Sequence, residues 1–288
     1  MLSDIEPPAN GDERKALMQL AAPVHRTLSG LASYVMETLF PPLCAVCRTE
    51  TGASETLCPD CWPDIAFLGQ PACRTCGRPQ PGADDAADLI CDACLSSERA
   101  WDRGAAALYY AGAGRRLVLG LKHGDRLDTV PMLSGWMLRA GRTLVADADV
   151  IVPIPLHWTR RLKRRSNQAA ELGRWIAQAG GKRKSFAPRA LARHRRTSSQ
   201  DGKNREARRA NLKGALGQGA ERSRLAGARV LLIDDVLTTG ATLNEAASIC
   251  RAAGAASVDI LVLALVVRDE TAYLGAISED EDTHHEAG

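Results

Sequence analysis

From Trp101 onward the chain alternates short apolar runs with stretches whose apolar residues recur at helical spacing. Gly104–Tyr110 (GAAALYY) reads as a strand, Arg115–Lys122 and Val130–Ala140 as helices, and Val150–Pro155 (VIVPIP) as a buried strand with prolines at its C-terminal end. Asn167–Gly180 keeps the helical spacing and stops at Gly180–Gly181. Val230–Ile233 is a short, fully apolar strand, Thr242–Ala253 a helix ending at Gly254, and Val258–Val267 a further strand, apolar except for Asp259. Strand, loop, helix and strand in this order predict an α/β fold: a mostly parallel sheet flanked by helices. Lys182–Leu212 interrupts the pattern. It is polar and basic, and Thr197–Asn204 (TSSQDGKN) is its most loop-like part.

The first hundred residues follow other rules. Met1–Asp12, with Pro7, Pro8, Asn10 and Gly11, predicts a segment without fixed structure. Arg14–Phe40 places Leu17, Leu20, Val24, Leu28, Leu31, Val35 and Leu39 three and four apart, an amphipathic helix interrupted near Pro23. Pro41–Pro42 ends it. Leu43–Leu95 is rich in Cys, Pro, Gly and Asp and has little apolar periodicity, so side chains alone cannot supply its core and a metal staple is expected. Glu279–Gly288 is an acidic tail. The expected divisions are 1–40 (leader and amphipathic helix), 41–100 (Cys-rich module), 101–278 (α/β domain) and 279–288 (tail).

Composition sharpens this picture at three points. The 288 residues, 45% hydrophobic and 25% charged, suit a soluble chain with one sizeable core and a small accessory module. The formal net charge of +3 conceals a segment, His157 to Arg229, with 21 Lys/Arg against 4 Asp/Glu. A segment so basic expects an anionic partner, either a polyphosphate or a nucleic acid, although aromatics at 4% leave few platforms for stacking bases. The longest apolar run, Ile260–Val267, is far short of the roughly 20 residues of a spanning helix, and the N-terminus lacks a charged-then-apolar export signal. A cytoplasmic location is therefore expected.

Eight of the nine cysteines form C-x-x-C pairs: Cys44/Cys47, Cys58/Cys61, Cys73/Cys76 and Cys91/Cys94. Each turn puts two thiolates on one side of a tight loop, and two turns complete a tetrahedral Zn²⁺ site. Ten residues separate Cys47 from Cys58 and fourteen separate Cys76 from Cys91. The simplest assignment is two sequential structural zinc sites, Cys44/Cys47/Cys58/Cys61 and Cys73/Cys76/Cys91/Cys94. Interleaved pairing and iron–sulfur ligation are the alternatives. With four protein thiolates per metal no position is open for a catalytic water. Gly77, after Cys76, suits a knuckle turn of positive φ. Cys250 stands alone on a helix and reads as a buried small hydrophobe.

The second chemical signal is VLLIDDVLTTGAT, Val230–Thr242. Asp234 and Asp235 follow an apolar strand at the end where α/β sheets bind ligands. Paired carboxylates there suit ribose hydroxyls, with Mg²⁺ bridging nearby. Thr238, Thr239 and Thr242 supply hydroxyls, Gly240 permits close backbone approach, and the N–H groups at the start of the next helix complete an anion cradle. The spacing is neither that of a triphosphate-binding P-loop nor that of a dinucleotide fingerprint.

Val230–Thr242 resembles the phosphoribosyl pyrophosphate (PRPP) signature of type I phosphoribosyltransferases. Val152–Leu156 followed by Arg160, Arg161, Leu162 and Asn167-Gln168-Ala169, Thr197–Gln200 followed by Arg208 and Asn211–Gly214, and Tyr109–Tyr110 with Leu121–Lys122 resemble the ComF family within that superfamily. The likeness runs from about Pro41 to Arg268, the paired cysteines reading as a double zinc ribbon. His123, Arg165, Ser166 and Lys203 depart from the family pattern. The resemblance implies a type I phosphoribosyltransferase-like sheet, PRPP or a related ribose phosphate as ligand, and Mg²⁺ held with it. It implies Asp234 and Asp235 as the catalytic pair on the ribose, and Thr238, Thr239, Gly240, Ala241 and Thr242 on the 5-phosphate. Arg208 becomes a phosphate contact from a basic segment, Arg195–Arg209, that closes over the site. It further implies a role in DNA uptake, with single-stranded DNA or uptake proteins as partners. Transfer would pass through an oxocarbenium-like state as pyrophosphate leaves, with positioning and charge neutralisation as the protein's contribution. A non-catalytic PRPP or nucleotide sensor, and a zinc-ribbon DNA-binding adaptor, are the competing readings.

Overall fold

The structure, a computed structural model, describes residues 41–53, 56–81, 89–123, 126–156, 166–194 and 214–267. The Arg14–Phe40 helix, Thr197–Asn204, Arg208 and the Glu279–Gly288 tail fall outside the described residues. By internal contacts the chain divides into Met1–Cys58 and Pro59–Gly288.

Among the described residues the larger unit has six strands: β1 (Gly104–Tyr109), β2 (Val150–Pro153), β3 (Leu191–Arg193), β4 (Leu216–Gln218), β5 (Arg229–Leu237) and β6 (Ser257–Leu265). Among the described residues β1, β6, β5 and β2, in that spatial order, make one wholly parallel sheet, and β3 and β4 pair antiparallel in a second. The helices are α1 (Asp92–Leu95), α2 (Gly112–His123), α3 (Val130–Ala140), α4 (Arg142–Asp147), α5 (Gln168–Ala179) and α6 (Ala241–Ala252).

The central strands carry long apolar runs because both faces are covered there. Val152, Val230, Leu232, Ile260 and Val262 share one cluster with Leu243, Ala246, Ala247 and Cys250 of α6, and with the cysteines of the second ribbon. Side chains alternate along a strand, so Ile233 and Leu261 point the other way. There Ile233 meets Gly173 of α5 and Leu261 meets Gly141 at the end of α3. Leu133 and Met137 of α3 and Leu172 and Ile176 of α5 are fully buried, each worth ~1.5–3 kcal/mol. α5 stops at Gly180 as its sequence predicts, and at its other end Asn167 donates its side-chain amide not to the helix but to the Ile154 carbonyl at 3.1 Å. Asp259, the polar residue in the β6 run, is 5% exposed. It is satisfied by Arg103, whose backbone N–H (3.1 Å), Nε (3.3 Å) and Nη2 (2.7 Å) all donate to its carboxylate. A buried carboxylate so paired avoids the cost of an isolated charge.

The elements the sequence does not predict are short. β3 and β4 have three residues each and α4 has six, too few for a period to register. The larger difference is at β5, which runs four residues past Ile233 to Leu237.

Candidate functional site

The extra length of β5 builds the site. β2 pairs with β5 only as far as Pro153–Ile233, whereas β6 stays paired to Leu237. Beyond Ile233 one edge of β5 is therefore free of β2, and Asp234 and Asp235 occupy that stretch. As neighbours on a strand they face opposite ways. Asp234 lines a small polar recess with Thr238, Thr239, Gly240, Ala241 and Thr242. Asp235 instead meets Lys122 of α2, Nζ to Oδ1 3.2 Å. Burial, then the charge of Asp235, pushes the Asp234 carboxyl up to about 7. The Asp235 N–H donated to Asp234 Oδ1 (2.9 Å) and the cations Lys122 and Arg193 work against that rise.

Gly240 ends the loop in the left-handed region, φ 76°, at the N-cap of α6, where it has no side chain to bond the helix terminus. The first N–H groups of a helix have no acceptor within it; here Ala241 N–H makes only a long bond to Thr239 Oγ1 (3.5 Å), which a group entering the recess could replace. The positive end of the helix dipole favours an anion there. The structure thus gathers Asp234 and Thr238 to Thr242 around one recess and sets Asp235 beside it as the partner of Lys122.

Two further cationic residues join the picture from outside the loop. Lys122 lies in the last turn of α2 and is legible in the sequence only as part of the Leu121–Lys122 pair. Arg193, in β3, lines a separate cavity of about 600 Å³ with Pro155, Asn167, Arg174 and Arg189, among others. Its positive charge favours the ionised form of Asp234, the smallest of the influences on that carboxyl. Neither stands out in a basic sequence, because only the fold selects them from their neighbours.

The eight paired cysteines gather in the sequential arrangement, Cys44/Cys47/Cys58/Cys61 and Cys73/Cys76/Cys91/Cys94, all four Sγ atoms of each set within 4.8 Å of one another. Four sulfurs ~2.3 Å from a tetrahedral ion stand about 3.8 Å apart. The Cys47–Cys58 and Cys76–Cys91 separations are 3.6 and 3.7 Å. The sets therefore fit a single tetrahedral ion and leave no room for a multi-iron cluster. Backbone N–H groups point at the sulfurs, as from Cys58 to Cys44 (3.4 Å) and from Cys91 to Cys73 (3.3 Å). Burial opposes ionisation of Cys44, but the N–H groups of Cys47, Cys58 and Val46 outweigh it and bring the thiol down to about 6. Hydrogen bonding with Cys73 pushes Cys94 up to about 12. Each module repeats one knuckle. Cys44 N–H bonds Thr49 and Cys73 N–H bonds Arg78, both at 2.7 Å. The left-handed residue is Gly77 (φ 77°) in the second and Arg48 (φ 69°) in the first. Cys250 is fully buried, its thiol pushed up to about 12 by burial.

Two tetrathiolate modules ahead of a parallel sheet with an acidic strand end and a glycine-turned anion loop define a class: a phosphoribosyltransferase-type α/β protein bearing a double zinc ribbon. Residues 35–95 match the model of a double zinc ribbon domain, and residues 187–281 that of a phosphoribosyl transferase domain. A protein of Escherichia coli (strain K12) described as DNA utilization protein YhgH is 29% identical over 230 residues, 77% of this chain and 89% of that protein. Competence protein F of Haemophilus influenzae is 28% identical over 240 residues, 80% of this chain and 99% of its own. A solved structure described as the allosteric regulatory enzyme of purine biosynthesis shares 21% identity at a TM-score of 0.33, the match spanning 50% of this chain and 30% of that one. Along this chain, then, a double zinc ribbon domain precedes a phosphoribosyl transferase domain, and most of its length is similar to a DNA utilization protein and a competence protein. No helix among the described residues is long and apolar enough to cross a membrane.

Proposed function

We propose that the recess binds the ribose 5-phosphate part of a phosphoribosyl compound, PRPP being the natural candidate, and that the protein serves DNA utilisation in the cytoplasm. The observation that carries this reading is the convergence of Asp234, the Thr238–Thr242 loop and the N-terminus of α6 on one polar recess. The loop and helix end take the 5-phosphate, and Asp234 takes a ribose hydroxyl. Asp235, balanced by Lys122, faces a second hydroxyl or a Mg²⁺ ion bound with the pyrophosphate. Mg²⁺ would neutralise charge on the departing pyrophosphate. The chain's own groups hold the sugar in place and exclude water as the anomeric carbon becomes electron-poor. Arg208 is retained as a phosphate contact from the basic segment. The cytoplasmic assignment rests on eight ligand thiols that need a reducing compartment.

Calorimetric titration with PRPP and Mg²⁺ tests the reading: wild type binds, and the double variant Asp234→Asn, Asp235→Asn does not. Absence of binding by wild type would sink it. Following pyrophosphate release separates an enzyme from a sensor of the same ligand. Similarity to a protein described as acting in DNA utilization and the basic segment His157–Arg229 support one further proposal, contact with single-stranded DNA through the zinc ribbons and that segment. It predicts DNA binding that weakens steeply with salt and survives the double Asp variant.

A further inference from the structure

Residues 96–103 join the second ribbon to β1, and two of their side chains end on the anion loop. Arg99 Nη1 donates to the Thr239 carbonyl at 2.9 Å, and its guanidinium lies over the Trp101 ring, 4.9 Å from the centroid. Trp101 is 3% exposed, and its indole N–H donates to the Thr75 carbonyl at 2.7 Å. Thr75 lies inside the Cys73–Cys76 knuckle. A Cβ on Gly240 would stand 2.5 Å from Arg99 Nη1 and 2.8 Å from Trp101 Cη2, so both side chains press on the glycine turn itself. The same connection clasps α6: Ala100 N–H donates to Asn244 Oδ1 at 2.8 Å, and Arg251 Nε donates to the Ala100 carbonyl at 2.7 Å.

The carbonyl and N–H of a trans peptide point in opposite directions. With Arg99 holding the Thr239 carbonyl, the N–H of Gly240 is turned to the other side of the loop. We propose that Arg99 and Trp101 are positioning residues through which the second metal site sets the phosphate loop. The knuckle fixes Trp101, Trp101 fixes Arg99 and Gly240, and the Thr239–Gly240 peptide is held with its N–H presented to a phosphate. The proposal rests on the ribose-phosphate reading above. It gives the second ribbon a task beyond folding, since losing its metal loosens the loop.

The test uses the full zinc-loaded chain as wild type and as Arg99→Ala, Arg99→Lys and Trp101→Phe. It measures zinc content, amide hydrogen exchange over Thr238–Leu243, and calorimetric affinity for ribose 5-phosphate. With two zinc ions retained, Arg99→Ala and Trp101→Phe exchange faster in the loop and bind about tenfold more weakly, the scale of one charge-assisted hydrogen bond. Arg99→Lys, the mildest change, recovers part of both and serves if Trp101→Phe loses its fold. Removing the metal from wild type speeds loop exchange, and removing it from Arg99→Ala adds less, because both act through one path. Loop exchange unchanged in every variant, or metal and Arg99 effects that simply add, overturns the proposal. Wild type that fails to bind ribose 5-phosphate overturns the ligand reading instead, and the exchange measurements still decide whether the strap exists.

Discussion

Replacing Asp234 by Asn should stabilise the protein at alkaline pH. In the folded chain burial and Asp235 hold the Asp234 carboxyl at about 7, against an ordinary 3.8. Between those two values the folded protein keeps a proton that the unfolded chain has released. Stability attributable to this group therefore falls as pH rises from about 4 to about 7, and the whole loss is present above about 7. Each pH unit between the two values is worth ~1.4 kcal/mol, so the gap from 3.8 to about 7 sets a ceiling of about 4 kcal/mol. Lys122, 3.2 Å from Asp235, and the carboxyl's partial solvent access argue for ~1–3 kcal/mol in practice. Asn keeps the oxygen that accepts the Asp235 N–H at 2.9 Å, so the change removes charge without removing the bond. Thermal unfolding followed by circular dichroism at pH 4.5 and pH 8 measures the effect. The variant should gain only slightly over wild type at pH 4.5, just above the ordinary 3.8, and melt higher at pH 8 by several degrees, at roughly 2–4 °C per kcal/mol for a chain of this size. The same substitution should weaken ribose-phosphate binding, so stability and ligand affinity move in opposite directions, as expected where a site holds an unfavourable charge for use. A variant no more stable than wild type at pH 8, or one whose gain is equal at both pH values, refutes the reasoning.

Three other outcomes follow from the same geometry. Gly240→Ala puts a Cβ into a left-handed turn already crowded by Arg99 and Trp101. It should cost ~2–4 kcal/mol by chemical denaturation and abolish ribose 5-phosphate binding. Gly77→Ala meets the Ala106 backbone N at 2.7 Å with φ 77°. Zinc release to a chromophoric chelator should then show one of two ions leaving markedly faster, and identical kinetics would contradict the packing described. Asp259→Ala takes from the Arg103 guanidinium its buried partner but leaves it Asp147 at 2.9 Å, so it should lower stability by ~1–2 kcal/mol in a urea titration, with no effect on zinc content.

The sequence by itself determined the α/β class, the positions of the long helices and strands, and the chemistry of both cysteine sets. Those features are local or periodic. A C-x-x-C turn holds its two ligands within four residues, and α5 carries its glycine stop and its buried stripe within one continuous segment. Gly77 was legible as a knuckle glycine for the same reason. Tertiary structure decided the rest, because the rest depends on residues distant in sequence. The sequence ends the apolar strand at Ile233, but pairing with β6 carries β5 through both aspartates, and strand alternation then separates two neighbours that read as a single acidic pair. Which thiolate pairs share an ion is settled by the sulfur separations. Lys122 and Arg193 act on the aspartates only because α2 and β3 bring them there, from a chain with 37 Lys/Arg in which neither is distinctive. The tie from Arg99 to Thr239 spans 140 residues, and no period or motif reports a contact of that range.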